Sequence, residues 1–234
     1  MTNRLLIAAT ILISCCNSTN TTNNTGVTNE NKAPVSNNNF FSSIKELSVP
    51  VSYTDFTGYL TKVDKEDEFS TYLINTKMLR GKNIYLCNSF EISDLQNSKA
   101  YTFETNEEIA SFIDRLVSGS PETLLIPLFK VTECNSIILG YLTYIMEDDS
   151  KFASIELQVY KKDGALLTKE PLTLFYVGGG EDGNVLIKSS ITSNCTIIMN
   201  RIDRTSGNIE SDKPKITKET TTFKISESGI NKVK

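Results

Sequence analysis

Residues 124–225 alternate between short apolar runs and polar breaks, a pattern that predicts sequential strands of an antiparallel sheet. In the third run, apolar and polar residues alternate from Ile155 to Tyr160, which predicts one buried and one wetter face. The strands predicted in this part of the chain are residues 124–131, 136–146, 152–160, 166–177, 185–191, 195–202 and 220–225.

Two of the polar breaks predict tight turns. Asp163 and Gly164 can both adopt a positive φ, so they predict a hairpin from strand 152–160 into strand 166–177. The stretch from Gly178 to Gly183 is as rich in glycine as a phosphate-binding loop. Such a loop opens a helix, whereas a strand follows here, so we interpret the stretch as a hairpin loop.

One helix is well marked, at residues 106–118. Thr105 and Glu108 have the spacing of a capping box, and apolar residues then recur at helical spacing from Ile109 to Val117. Gly119 and Pro121 predict its end. In the less regular part before residue 101, residues 49–60, 71–79 and 83–87 are plausible strands, and residues 92–99 form a loop or a short helical turn.

The predicted fold class is mainly β with one α-helix. We expect a single β-rich globular domain at residues 40–226 and a flexible C-terminal tail at residues 227–234. The antiparallel sheet could be a meander, a sandwich or a partly open barrel, with helix 106–118 packed on it.

The N-terminus has the features of an export signal. Arg4 precedes an apolar run at residues 5–14, which is too short to span a bilayer, and Cys15 and Cys16 follow. The stretch from Leu12 to Cys15 resembles a bacterial lipobox, which predicts a signal peptide at residues 1–14 and lipidation of Cys15. A plain secretory signal and a buried N-terminal strand are the alternatives.

Residues 15–39 are predicted to form a disordered tether after the lipidated cysteine. From residue 17 the segment consists mainly of Asn, Thr and Ser, which bury too little apolar surface to offset the entropy of the chain. A polar linker of this length spans about 25 Å, enough to hold a domain away from lipid headgroups.

Charge and cysteine content narrow the function classes. The formal net charge of −4 becomes −5 when residues 1–14 are removed with Arg4, and such a chain is a poor candidate for binding nucleic acid. The remaining cysteines lack the spacing of a zinc site or a disulfide scaffold. Cys87, Cys134 and Cys195 allow one disulfide with a thiol left over, or three buried thiols.

The chain contains no histidine, which excludes Ser-His-Asp and Cys-His catalysis and the H-E-x-x-H zinc motif. The acidic residues at 147–149 and 181–182 do not match a calcium loop, and we interpret them as solvated turns. Tyr141, Tyr144 and Tyr160 lie on predicted strands and could form a carbohydrate- or peptide-binding face, although most strand tyrosines flank a core. We assign no catalytic, cofactor or metal-binding residue.

From about Leu124 onward, the chain resembles the small uncharacterised lipoproteins of Bacteroidetes. The features are the apolar hairpin strand from Ile155 to Tyr160, the turn from Lys161 to Gly164, a further strand pair and a short terminal strand that ends near Gly229. The resemblance implies a lipidated, β-rich protein of the cell envelope, anchored to the outer membrane. No surface-export tag is evident after Cys15, so the periplasmic and surface faces both stay open.

Three functional hypotheses follow. The first is a non-enzymatic binding or accessory domain, held at the membrane by its lipid anchor, with a protein, peptide or glycan as partner; it predicts an exposed apolar patch or sheet edge. The second is a histidine-free hydrolase or lyase that uses carboxylates and tyrosine; it predicts a cleft with converging acids. The third is a structural envelope protein, which predicts neither feature.

Overall fold

A computed structural model of the chain describes residues 39–117, 123–147, 150–168, 170–180, 183–205, 214–227 and 229–233. The predicted signal peptide, Cys15 and nearly all of the tether lie outside these residues. The helices are α1 (Asn39–Ser42), α2 (Ile92–Asn97) and α3 (Asn106–Val117). Two 3₁₀ helices span Tyr53–Tyr59 and Thr76–Leu79.

The strands are β1 (Val51–Ser52), β2 (Leu60–Lys62), β3 (Tyr72–Ile74), β4 (Ile84–Cys87), β5 (Ala100–Tyr101), β6 (Thr123–Val131), β7 (Ile137–Glu147), β8 (Ser150–Tyr160), β9 (Leu172–Gly180), β10 (Gly183–Ile191), β11 (Thr196–Thr205), β12 (Lys215–Ser226) and β13 (Gly229–Val233). Most of them form one antiparallel sheet, as the apolar pattern predicts. Strands β6 to β13 follow one another as a meander, β4 and β5 extend the sheet beyond β6, and β2 and β3 form a separate hairpin.

One end of the meander curls so that β6 and β10, which are four strands apart, come close together. The segment at residues 45–52, which we call the strap, bridges them. The Leu47 N–H donates to the Lys130 carbonyl on β6 at 2.9 Å, and Val51 on β1 pairs with Ile191 on β10. A disulfide between Cys134 in the β6–β7 turn and Cys195 in the β10–β11 turn closes the same end, with a Cα–Cα distance of 5.3 Å.

The predicted capping box of α3 is present. The Thr105 N–H donates to Glu108 Oε2 at 3.2 Å, and the Glu108 N–H donates to Thr105 Oγ1 at 3.3 Å. The described helix ends at Val117, so the predicted stop at residues 119 and 121 lies outside the described residues. The predicted fold class has one α-helix, but the described residues also contain the short helices α1 and α2. Helix α2 lies in the segment for which the sequence predicts a loop or a short helical turn.

Local capping explains why much of the predicted strand at 49–60 is helical. The Ser52 N–H donates to Asp55 Oδ2 at 2.8 Å and Ser52 Oγ accepts from Thr54, which starts a 3₁₀ helix instead of extending β1. The predicted strand at 71–79 is likewise divided, into β3 and the second 3₁₀ helix.

The Asp163–Gly164 turn is present, and Gly164 has a φ of +93°. Strand β9, however, begins at Leu172 rather than at residue 166. Beyond the turn, Thr168 Oγ1 accepts the Val159 N–H in place of a backbone carbonyl, and Pro171 has no N–H to give to a ladder. These two features delay the start of the strand.

The C-terminal segment differs from the flexible tail predicted at 227–234. Residues Gly229–Val233 form β13, which pairs with β12 from Ser226↔Gly229 to Thr222↔Val233. Gly229 adopts a φ of +134°, which lets the chain reverse after β12. The lysine-rich sequence hides this strand, because a short edge strand can carry charged side chains that point into solvent.

Strand β8 is buried on both faces, so the prediction of a wetter face is wrong. Ile155, Leu157 and Val159 belong to the larger apolar cluster, while Ser154, Glu156 and Gln158 on the opposite face are also buried. Next to them a second apolar cluster covers this face, contributed by helices α1 and α2 and by strands β4, β6, β7 and β8. Alternation identifies two faces but does not show what lies over each of them.

Candidate binding site

An apolar cleft of about 240 Å³ lies where β3, α3 and the β7–β8 hairpin meet. The walls of the cleft come from three parts of the fold. Leu73 and Ile74 are consecutive on β3, and Tyr144 and Ala153 are directly opposite each other on β7 and β8. The wall on α3 consists of Ala110, Ile113 and Asp114, whose spacing of three and four residues places them on one side of the helix. The lining residues are Leu73, Ile74, Thr76, Ala110, Ile113, Asp114, Tyr144 and Ala153.

The mouth of the cleft is bordered by exposed apolar surface. Leu73 is 47% exposed, although it is a large hydrophobic residue, and Ala110 is also exposed. Val63 and Met78, which flank β3 in sequence, are likewise among the exposed large hydrophobic residues. Single exposed apolar residues are common, but exposed apolar residues that line a cleft, as Leu73 and Ala110 do, are typical of an interaction site.

Asp114 is the charged member of the eight described residues that line the cleft. Burial raises the pKa of the Tyr144 hydroxyl above its usual range, and the charge of Asp114 raises it further. These two side chains and the Thr76 hydroxyl form the polar part of a mainly apolar site. Such a site can hold an apolar group between its carbon-lined walls.

A second cleft, of about 370 Å³, is lined by residues 45–56 of the strap and the following 3₁₀ helix. It contains Lys45 and Asp55. The Asp55 carboxylate already accepts the Ser52 N–H in the capping box, so it has a structural role there. We therefore regard the apolar cleft beside α3 as the stronger candidate site.

The buried polar side chains Ser154, Glu156 and Gln158 lie along β8, on the face opposite the larger apolar cluster. Glu156 is 4% exposed, it accepts a hydrogen bond from Ser154, and burial raises its pKa to about 7. Thr168 contacts Gln158 through a hydrogen bond. Glu156 has the shifted pKa expected of a catalytic acid, but it lines neither of the two clefts.

The three tyrosines singled out from the sequence have different environments. Tyr141 and Tyr160 are buried, and the Tyr160 hydroxyl donates to the Phe90 carbonyl at 2.9 Å. Burial raises the pKa of both hydroxyls far above the usual range. Tyr144 is the one at the cleft. The three residues therefore do not form a common binding face.

The cysteines follow the first of the two alternatives drawn from the sequence. Cys134 and Cys195 form the disulfide, and the buried Cys87 thiol contacts the Thr123 carbonyl at 3.6 Å. The glycine-rich stretch is a β9–β10 hairpin in which Gly180 pairs with Gly183, as predicted, and residues 181–182 lie outside the described part. Residues 148–149 of the other acidic turn are also outside it. Cys15, the predicted lipidation site, and Cys16 are not among the described residues.

Within the described ranges, no three His, Cys, Asp or Glu side chains come together as a metal site. In the same ranges, no helix combines the length and apolar character needed to cross a bilayer.

The cleft itself is not evident in the sequence. The helical stripe of α3 correctly predicts a buried side at Ile109 and Ile113, but Ala110 and Asp114 on the neighbouring side give no signal of a site. The other wall comes from a hairpin far away along the chain. A clue is the pair of exposed apolar residues at 73 and 78, in a segment whose strand pattern is irregular.

The chain matches no known family, and comparison with curated proteins and with solved structures finds no significant similarity.

Proposed function

We propose that this protein is a lipid-anchored envelope module outside the cytoplasm that binds a partner protein, without catalysis, through the apolar cleft beside α3. The observation that carries the binding function is the cleft with its exposed apolar border at Leu73 and Ala110. A surface of this kind costs solubility, so it is more often retained for an interaction than by chance.

The disulfide supports the location. A bond such as Cys134–Cys195 persists in oxidising compartments and is rare in the cytosol. This agrees with the export signal expected at residues 1–14 and with the anchor expected at Cys15. The anchor itself, and the outer membrane as its location, rest on the lipobox pattern and on the resemblance to envelope lipoproteins.

The composition of the cleft favours a protein or peptide over a glycan. A sugar presents many hydroxyl groups, each of which needs a polar partner in the bound state. Five of the eight lining side chains present only carbon, the exceptions being Thr76, Asp114 and the phenol of Tyr144 at the tip of an aromatic ring. An apolar side chain of a partner fits such walls better.

The alternative of a histidine-free hydrolase or lyase has one supporting observation, the raised pKa of Glu156. This carboxyl is buried in the sheet, and a substrate would have to displace packed residues to reach it. The third alternative, a structural envelope protein, does not account for the exposed apolar border of the cleft.

The anchor is tested by intact mass spectrometry of membrane and soluble fractions from cells that express the wild type, Cys15→Ala or Cys16→Ala. We expect an acylated N-terminus at Cys15 in the membrane fraction of the wild type and of Cys16→Ala, and neither property in Cys15→Ala. A wild-type protein that is soluble and unmodified would contradict the proposed anchor.

The binding function is tested by photo-cross-linking in cells, with a benzoyl-phenylalanine placed at position 110 in the cleft. Position 100 on β5 is the matched control, because Ala100 is also an exposed alanine. We expect a defined adduct from position 110 that the substitution Leu73→Asp weakens. The same adducts from both positions would argue against a binding site at the cleft.

A further inference from the structure

Strand β12 is longer than β13, the strand beside it at the edge of the sheet. Strand β13 pairs with β12 from Ser226 to Thr222, whereas β12 continues back to Lys215. Within the described part of the chain, no strand pairs with this edge before Thr222. Residues 215–220 are exposed on both faces of the strand, and Ile216 among them is 54% exposed. An uncovered strand edge of this kind can accept another strand.

The register of β12 shows which backbone groups this open edge offers. The Ile225 N–H donates to the Cys195 carbonyl at 3.2 Å, on the side of β11. The pairing with β11 continues without a shift to the start of β12, so the odd-numbered residues direct their backbone groups toward β11. The even-numbered residues direct theirs to the opposite side. Ile216, Lys218 and Thr220 therefore present their N–H and C=O groups at the open edge.

The charges along this edge fit a second copy of the same strand. Opposite pairs alternate in kind along an antiparallel ladder, so the two-fold axis between identical strands passes where a residue lies opposite its own copy. An axis at Lys218 or Glu219 would place like charges opposite each other, which is unfavourable. An axis at Thr217 places Lys215 of each copy opposite Glu219 of the other. The other axes within residues 215–221 bring no opposite charges of this range together.

We infer that two copies of this protein pair through the open edge of β12, antiparallel and centred on Thr217, which joins their sheets. Ile216 of each copy exchanges backbone hydrogen bonds with Lys218 of the other, and the aliphatic part of that lysine covers the exposed isoleucine. A lysine at a strand edge discourages pairing with most strands, but the charge of Lys215 meets Glu219 in this register. The inference uses a surface separate from the cleft and does not rest on the proposed binding function.

Glu219 is accessible for this contact although it already has neighbours. Its carboxylate lies 4.0 Å from the Lys232 ammonium, with 65% and 64% of the two side chains exposed, and it accepts a hydrogen bond from Thr221 at 3.3 Å. An exposed ion pair at this distance contributes little and leaves the carboxylate able to turn to another lysine. On the opposite face, the Lys218 side chains of the two copies are diagonal neighbours about 7–8 Å apart, where salt and water weaken their repulsion.

The test is disulfide cross-linking in cells, because a contact of a few residues is weak and the proposed membrane anchor would raise the local concentration. Thr217→Cys is combined with Cys16→Ala, which removes the thiol beside the predicted anchor. We expect a disulfide-linked dimer on non-reducing electrophoresis, since the two copies of residue 217 would lie within reach of a disulfide. Thr220→Cys is the matched control, an exposed threonine on the same strand. Its two copies would lie about 20 Å apart along the strands, so it should give little dimer.

Charge reversal tests the register. Glu219→Lys places a lysine opposite Lys215 in both symmetric pairs and should lower the dimer fraction of Thr217→Cys about tenfold. Adding Lys215→Glu to Glu219→Lys restores opposite charges and should restore the dimer. This recovery also shows that the loss in the single variant does not come from misfolding.

Four results would overturn the inference. The absence of a dimer from Thr217→Cys would show that the edges do not meet, and equal dimer from positions 217 and 220 would indicate random collision. An adduct of Thr217→Cys with a different protein would show that another strand occupies this edge. A dimer that is insensitive to charge reversal, or that the double reversal does not restore, would show that Lys215 and Glu219 do not set the register.

Discussion

At the scale of single residues, Glu156 has the most unusual environment of the described acids. Its neighbours on the same face are Ser154, Gln158 and the Tyr141 side chain directly opposite on β7, and none of these carries a charge that would stabilise a carboxylate. Burial therefore favours the protonated form and raises the pKa of Glu156 to about 7.

This environment predicts a pH-dependent stability. In the unfolded chain Glu156 loses its proton near its ordinary pKa of 4.5, whereas in the folded protein it keeps the proton up to about pH 7. Between these values the folded state binds the extra proton, so the free energy of unfolding decreases as the pH rises. The expected contribution of Glu156 is a loss of about 3 kcal/mol across this range.

The variant Glu156→Gln, which stays neutral, should lack this loss and should be more stable than the wild type at pH 8. Urea denaturation at pH 4.5 to 8, followed by circular dichroism, measures the difference. Glu227→Gln serves as an exposed control and should retain the wild-type dependence. Equal pH profiles for the wild type and Glu156→Gln would show that the carboxyl is ionised in the fold.

At the scale of elements, α3 connects the core to the candidate site. Its buried side contributes Ile109, Phe112 and Ile113 to the larger apolar cluster, and its other side supplies Ala110 and Asp114 to the cleft. The capping box at Thr105 fixes the start of this helix, so it contributes both to stability and to the position of the cleft wall.

The substitution Thr105→Ala should lower the free energy of unfolding by about 1 kcal/mol, because the Glu108 N–H loses its acceptor. Thr105→Ser keeps the hydroxyl and should recover most of the loss. Ser111→Ala, at an exposed position within the same helix, should cost nothing measurable. A similar loss for Thr105→Ala and Ser111→Ala in urea denaturation would contradict the role assigned to the cap.

Elements that depend on residues close together in sequence can be predicted from this chain. The clearest examples are α3, with its capping box and apolar spacing, and the Asp163–Gly164 turn. Strands β6 to β8 and β10 to β12 also agree with the apolar pattern, with shifted ends. The 3₁₀ helix at Tyr53–Tyr59 was missed because the short-range cap at Ser52 competes with a strand-like composition. Strand β13 was missed because Ile230 and Val233 are not enough to make an apolar run in its five residues, and the pairing with β12 is a property of the backbone.

The cleft could not be predicted, since it depends on which distant segments meet. Residues 73–76, 110–114 and 144–153 each look ordinary in sequence, and their proximity is a property of tertiary packing. The burial of Glu156 could not be predicted for the same reason. Its alternating strand is typical of a half-exposed position, and the covering residues come from elements that are remote along the chain.

At the scale of the whole molecule, the strap and the disulfide fasten the same end of the curled sheet. The strap is held by hydrogen bonds to β6 and by two residue pairs with β10, whereas the disulfide links the adjoining turns covalently over a sequence separation of 61 residues. A link over a loop of this size restricts the unfolded chain strongly.

Removal of the disulfide should lower the free energy of unfolding strongly. In the loop-entropy description, the double variant Cys134→Ala, Cys195→Ala should lose about 4 kcal/mol of unfolding free energy. Reductant should destabilise the wild type to a similar degree and leave the double variant unchanged, as measured by urea denaturation with and without dithiothreitol. If the wild type were equally stable in both conditions, the cysteines would not be bonded in the protein.

The position of the strap near the N-terminal end of the folded part has a mechanical consequence. If the protein is anchored as proposed, any pull between the membrane and a bound partner enters the fold through α1 and then through residues 45–52. The first interactions to bear the load are those that hold the strap to β6 and to β10. The Cys134–Cys195 bond lies beside them and keeps the two turns together when those interactions yield, so the sheet does not unroll under tension.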